Sequence, residues 1–389
     1  MFLAFLTACI PLQAATPPSI WGEVITLGQT EQAAAPVLWA ADQRLTAAWI
    51  GADRAGVHQD AIIMRGNRSL ERAVLPLPPV RPFAQQFILG TGNNTHLLWL
   101  DADTENENRL FAALITPTMQ IERGPTLISN AMTLRYAAVS DGSGGIWTVW
   151  SGRIVGEPLL YAQYIDNAGR PYQPVEIASS ADWPSIVRAN DGTFHIFWLQ
   201  TTEREIYHAT LENGRAVNSR SLGQNVTLMR GDRLIDFRAA LDSTYLYVFW
   251  NITRMDGTSE AWYTSANFNS NLWSRAGRLG FGIESEVSFN TGFNGGAAKS
   301  TLPGTSWVSW AAPMAGQFDT LPVAAYRDGN LVIIYLRDGL VAAYQTIVAL
   351  SSIIGAPSLS TDRNRHLYLA WAEPNPAGYA DMKLTTTRP

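Results

Sequence analysis

One sentence recurs along this chain: a short apolar run, a turn, then an alternating run that ends on tryptophan. Its clearest copy is Pro184 to Trp198, PSIVRANDGTFHIFW, where Asn190-Asp191-Gly192 separates the two runs. Asp-Gly between apolar runs signals a hairpin, because the turn needs φ > 0 and glycine supplies it without steric cost. Further copies end at Trp49, Trp99, Trp150, Trp250, Trp310 and Trp371, so successive gaps are 50, 51, 48, 52, 60 and 61 residues. Strand-like content repeating every fifty residues or so predicts a propeller. The expected fold is all-β: seven blades, each of four antiparallel strands, with one tryptophan per blade in a packing layer.

Each repeat parses into four strands. In residues 184–223 these are Ser185–Ala189, Phe194–Leu199, Glu205–Leu211 and, after Glu212-Asn213-Gly214, Ala216–Leu222. The third strands alternate aromatic with small residues, as faces that stack sheet on sheet require. The last repeat ends one strand short, at Met382–Thr387, while Ile20–Leu27 at the other end reads as a surplus fourth strand. That segment is expected to complete the last blade, closing the ring and leaving no end blade with an open pairing edge. Pro322–Tyr335 (PVAAYRDGNLVIIY) repeats the pattern only a short way after Trp310. It is either part of a sixth blade built on tight Asp-Gly hairpins or an eighth, degenerate repeat. On the seven-bladed reading, residues 281–304 form a long connection into blade six.

The 389 residues therefore divide into a leader and tether, 1–18, and one propeller domain, 19–389. A net charge of −5 and the lack of any long basic run argue against nucleic acid as a partner. No run of 18 uninterrupted apolar residues is present, which argues for core strands over a membrane helix. The single cysteine, Cys9, excludes an intrachain disulfide.

The repeats resemble the seven-bladed propellers of the sialidase/BNR-like superfamily, from Pro17 onward. Fragments of that family's Asp-box stand at Ser360-Thr361-Asp362 and Ser140-Asp141-Gly142, and Arg81-Pro82 is a fragment of its Arg-Ile-Pro signature; no full copy of either occurs. Leu6-Thr7-Ala8-Cys9, closing an apolar run, resembles the lipobox of bacterial lipoproteins. That resemblance implies cleavage before Cys9, acylation of its thiol and an extracytoplasmic, lipid-anchored address, with Pro11 to Pro18 as tether. The superfamily implies glycan or protein ligands.

In a propeller, ligands bind on the face that carries the second-to-third-strand loops and the blade junctions. Charge gathers there: Asp53 after Trp49, Asp101, Asp103 and Glu105 after Trp99, Arg153 after Trp150, Arg254 after Trp250 and Glu373 after Trp371. Arg135, Trp183, Asp232 and Arg233 fall at blade junctions, where Trp183 offers a ring for stacking on a sugar. The carboxylates of 101–107 are donors of the kind Ca²⁺ takes, without the glycine and terminal glutamate of an EF-hand loop. Glycoside hydrolysis needs two carboxylates across a bond, and a sialidase-type site adds clustered arginines. The histidines show no metal-ligand spacing; His96, His195 and His366, each just ahead of a marker tryptophan, read as packing residues. No phosphate loop, nucleophile elbow or dinucleotide fingerprint occurs. The expectation is a surface-anchored, monomeric, non-catalytic propeller binding a glycan or an envelope protein, with no catalytic residue and no cofactor assigned; the alternative is a sialidase-like glycoside hydrolase.

Overall fold

The computed structural model describes residues 21–30, 36–41, 44–54, 56–65, 68–76, 83–90, 94–102, 107–153, 155–223, 228, 231–255, 259–268, 270, 272–279, 307–310, 320–327, 329–362 and 366–387. Cys9, the Pro11–Pro18 tether and the 281–304 connection lie outside them.

Seven four-stranded antiparallel sheets follow one another along the chain. Six are contiguous: residues 37–76, 83–127, 132–179, 181–221, 233–278 and 307–349. The seventh joins Ile354–Thr361, Leu367–Pro374 and Ala380–Thr386 to Ile25–Thr30 from the start of the chain. Ile25 pairs with Leu384 and Thr30 with Ala380, and Trp21 bridges to Thr387, so the N-terminal segment closes the ring as expected.

There is no single central core. Seven apolar clusters each join one blade to the next, and the last, with Leu27, Ala370 and Met382 against Leu38 and Trp49, joins blade 7 to blade 1. Six marker tryptophans fill the seam toward the preceding blade: Trp49, Trp99, Trp150, Trp198, Trp250 and Trp371, all buried. In blades 2 to 5 the third strand sets an aromatic opposite, pairing Trp99 with Phe111, Trp150 with Tyr161, Trp198 with Tyr207 and Trp250 with Trp262. Stacked rings of this kind add to the area they bury.

Blade 6 departs from the pattern. Trp310 lies on its first strand, Trp307–Trp310, and not on the second. The hairpin of Pro322 to Tyr335 supplies strands two and three, Leu321–Arg327 and Asn330–Arg337. An Asp-Gly signal marks a hairpin without saying which hairpin of the blade it is. The seam between blades 5 and 6 is filled instead by Leu321, Val323 and Ala325 against Tyr247 and Phe249.

A second repeated device sits where first strands end. At the opening stretch, Asp191 accepts from the Thr193 amide at 2.8 Å and Gly192 takes φ 90°. Asp141, Asp242 and Asp362 stand at the same place in their blades, and each accepts a tyrosine hydroxyl: Tyr164 at 2.7 Å, Tyr247 at 2.7 Å and Tyr368 at 3.2 Å. The side chain thus does the work of a backbone turn and ties it to the second strand in blades 5 and 7 and to the third strand in blade 3.

Candidate functional site

The start of each first strand lies beside the end of the second, on the face opposite those Asp turns. Arg135 pairs with Ser151, Asp182 with Leu199 and Arg233 with Thr253. In blades 3, 4 and 5 the register slips at this point, between Thr133 and Arg135, Asp182 and Ser185, and Leu234 and Asp236. A bulge interrupts the ladder and re-aims side chains. Around blade 4 the backbone is also strained: Ser180, Trp183 and Arg204 take φ of 50°, 58° and 59°. Left-handed conformations at non-glycine residues cost energy and concentrate at ligand sites.

Two buried carboxylates organise this mouth. Asp182 binds the Arg135 guanidinium at 2.6 Å through one oxygen, and through the other accepts the Ser151 hydroxyl at 2.6 Å and the Trp183 amide at 2.7 Å. The guanidinium lies over the Trp183 ring, 3.5 Å from its centroid. The Arg135 side chain keeps 34% of its surface exposed and has no other hydrogen bond among the described residues. The result is a flat aromatic–cation platform with donors left over for an acidic ligand. One blade further, Asp232 binds Arg254 at 2.6 Å, and its carbonyl accepts from Arg204 at 2.7 Å.

At the rim of blade 4 the Tyr207 hydroxyl donates to Glu203. That hydrogen bond, with some burial, pushes the phenol up to about 12. Two residues before Glu203, the Thr201 hydroxyl is shared between the Ser180 carbonyl at 2.9 Å and Glu157 of blade 3 at 3.1 Å.

The expected site residues thus separate. Arg135 meets Trp183, and Asp232 meets Arg254. Arg153 and Arg233 are exposed on the same face, at the end of one blade's second strand and the start of another's first. Glu373 accepts from Trp371 Nε1 at 2.7 Å, a contact that orients a core ring. Asp101 is fully buried, accepting the Ala102 amide at 2.8 Å. Asp53 ends the second strand of blade 1, where it pairs with Gly56; its side chain, like Asp103, Glu105 and most of the Ca²⁺ loop, lies outside the described residues. Among the described residues no group of three or more His, Cys, Asp or Glu could hold a metal ion. The reading of the histidines holds for His96, which donates to the Gly144 carbonyl across a seam at 2.9 Å. It missed that His195 and His208 meet on adjacent strands at 3.0 Å. Asp182 and Ser151 were also missed; adjacency to Trp183 and the register with Arg135 were the only signals.

The fold and this mouth define a seven-bladed propeller with an arginine stacked on a tryptophan at a blade junction. No family profile matches the chain, and no curated protein does. Solved structures do. A PL25 ulvan lyase matches at TM-score 0.56 with 7% identity, covering 92% of this chain and 94% of the other. The polysaccharide lyase Uly1 matches at 0.55 with 8% identity, covering 90% and 89%. The microbial sialidase Hz136 matches at 0.46 with 10% identity, covering 85% and 73%. At such identities the likeness is one of fold. It corrects the expectation of a non-catalytic module: two proteins that share this propeller over nine tenths of the chain are polysaccharide lyases, so the propeller no longer argues for binding without chemistry.

Proposed function

We propose that this protein is a carbohydrate-active enzyme that binds an anionic polysaccharide across the mouth of blades 3 to 5 and cleaves it there. The observation that carries this reading is Arg135, held by Asp182 and laid flat on Trp183. The ring holds the guanidinium flat, and the guanidinium N–H groups left over take a carboxylate or sulfate. The two lyases that share the fold support the reading.

Cleavage of such a chain can run by either of two routes. Elimination needs a cation on the uronate carboxylate, which acidifies the neighbouring carbon. A base then removes that proton as the bond to the leaving oxygen breaks, and the oxygen takes up a proton. Arg135 would serve as the cation, and the Tyr207–Glu203 pair can pass a proton. Hydrolysis would instead add water across the bond.

Purified protein incubated with a panel of uronate-bearing and sulfated polysaccharides decides the matter. New reducing ends with an ultraviolet-absorbing unsaturated sugar mean elimination; reducing ends without it mean hydrolysis. The proposal fails if no polymer is shortened, or if Arg135→Ala cleaves as fast as the parent. Lipid anchoring through Cys9 belongs to the same reading, since it would set the mouth against extracellular glycans. Labelling with a palmitate analogue, lost in Cys9→Ser, tests that separately.

A further inference from the structure

His195 and His208 lie in the seam between blades 4 and 5, toward the face opposite the mouth. The antiparallel register sets His208 opposite Phe197 and His195 opposite Thr210, so the two rings meet on a diagonal. His195 Nδ1 stands 3.0 Å from His208 Nε2, and the rings lie nearly parallel, 15° apart. Blade 5 covers them with Phe268, stacked on His195, and with Trp273, edge-on to both His208 and Phe197.

A hydrogen bond between two imidazole nitrogens needs one protonated and one bare. With one added proton the bond survives; with two, a pair of N–H groups face each other at hydrogen-bonding distance. The surroundings oppose that second charge. His208 is buried, and its Nδ1 has no hydrogen-bond partner. Of the charged groups facing the pair, Asp191 in the first hairpin turn favours a charge on His195, whereas Arg220 on the outer strand disfavours one on His208. Blade 5 brings Phe268 and Trp273, which carry no charge. Burial lowers both histidines, His208 to about 3.

The same seam reaches the mouth. Its core holds Val187, Phe197, Phe237 and Trp250, and Trp183 packs against that core together with Phe268 and Trp273. We propose that the His195–His208 pair is an acid-operated release of the blade 4–5 seam, opening this seam before the other six and loosening the support of Trp183.

The sign follows from linkage. The closed seam resists the second proton of the pair, and an open seam lets both rings protonate near the ordinary histidine value of 6.5. Closure is therefore fully favoured above that value and weakens as pH falls below it, by about tenfold in the opening equilibrium per pH unit for the proton the closed seam refuses.

Hydrogen–deuterium exchange by mass spectrometry, corrected for intrinsic rates and compared at about pH 7.5 and about pH 5, reads this directly. Peptides spanning 194–212 and 262–279 should gain at least about tenfold in exchange relative to histidine-free peptides of blade 1 such as 44–50. His208→Phe should flatten that difference, and His195→Phe, on the less buried partner, should do so even if the first variant folds poorly. Uniform loss of protection around the ring, or an unchanged pH response in the variants, would overturn the proposal. Neither outcome depends on whether the mouth cleaves a glycan.

Discussion

Asp182 shows how much one side chain carries at the mouth. Its two oxygens serve a guanidinium, a hydroxyl and an amide, and the amide belongs to Trp183, whose backbone sits at φ 58°. Asp182→Asn keeps the shape and removes the charge that fixes Arg135. For an active enzyme we expect KM for an anionic polymer to rise more than kcat falls, measured by steady-state kinetics at low salt. Trp183→Ala removes the ring under the guanidinium; a loss of about 0.5–2 kcal/mol corresponds to about two- to thirtyfold weaker binding, read by calorimetric titration with the polymer. Of this cluster, Arg135 and Trp183 were legible in the sequence as a charge and a ring at blade junctions. Asp182 was not, because nothing in a linear pattern says which carboxylate a bulge will turn inward.

At the scale of the strand, the residue two after the marker tryptophan answers the ring in blades 4 and 7. Gln200 and Glu373 accept from the indole N–H of Trp198 and Trp371, at 3.2 Å and 2.7 Å. After Trp150 the position is Gly152, where an added Cβ would meet Trp150 Cζ3 at 2.5 Å. Gly152→Ala should therefore overpack the blade 2–3 seam and cost about 1–3 kcal/mol, measured by denaturant unfolding. The closing strand makes a second test. Trp21 is buried in the blade 6–7 seam and bridges to Thr387. Trp21→Ala should cost about 3–5 kcal/mol, whereas the same truncation of exposed Leu272 should cost little. That the last blade would borrow its fourth strand was readable from a repeat one strand short. That Trp310 would sit on a first strand was not, since spacing counts residues and a lengthened junction shifts the count.

The whole ring should have a pH-bounded stability. Burial lowers His96, His195 and His208 in the folded state, against 6.5 when unfolded. Their contribution is complete above 6.5 and is lost as pH falls below it, by up to about 1.4 kcal/mol per pH unit for each ring that stays neutral. On the alkaline side Tyr164, Tyr207 and Tyr368 are raised to about 12 from 10.0. Burial dominates for Tyr164 and Tyr368, and the bond to Glu203 for Tyr207. Their contribution is complete below 10 and is lost above it. Scanning calorimetry across pH should show Tm falling on both sides of a plateau, and His96→Asn should soften the acid limb alone.

Fold class and ring closure were determined by the sequence itself, because a blade cannot bury its own faces and must repeat until the ring shuts; the choice of seven blades over eight came only with the strand pairing of blade 6. Each repeat therefore carries its turn, its tryptophan and its apolar alternation in consecutive residues, where they can be read. The mouth is different. Arg135 and Asp182 are 47 residues apart and meet only because adjacent blades set one first strand beside the next. His195 and His208 meet only through a strand register. Partners chosen across a seam leave no local periodicity, and only the assembled ring decides them.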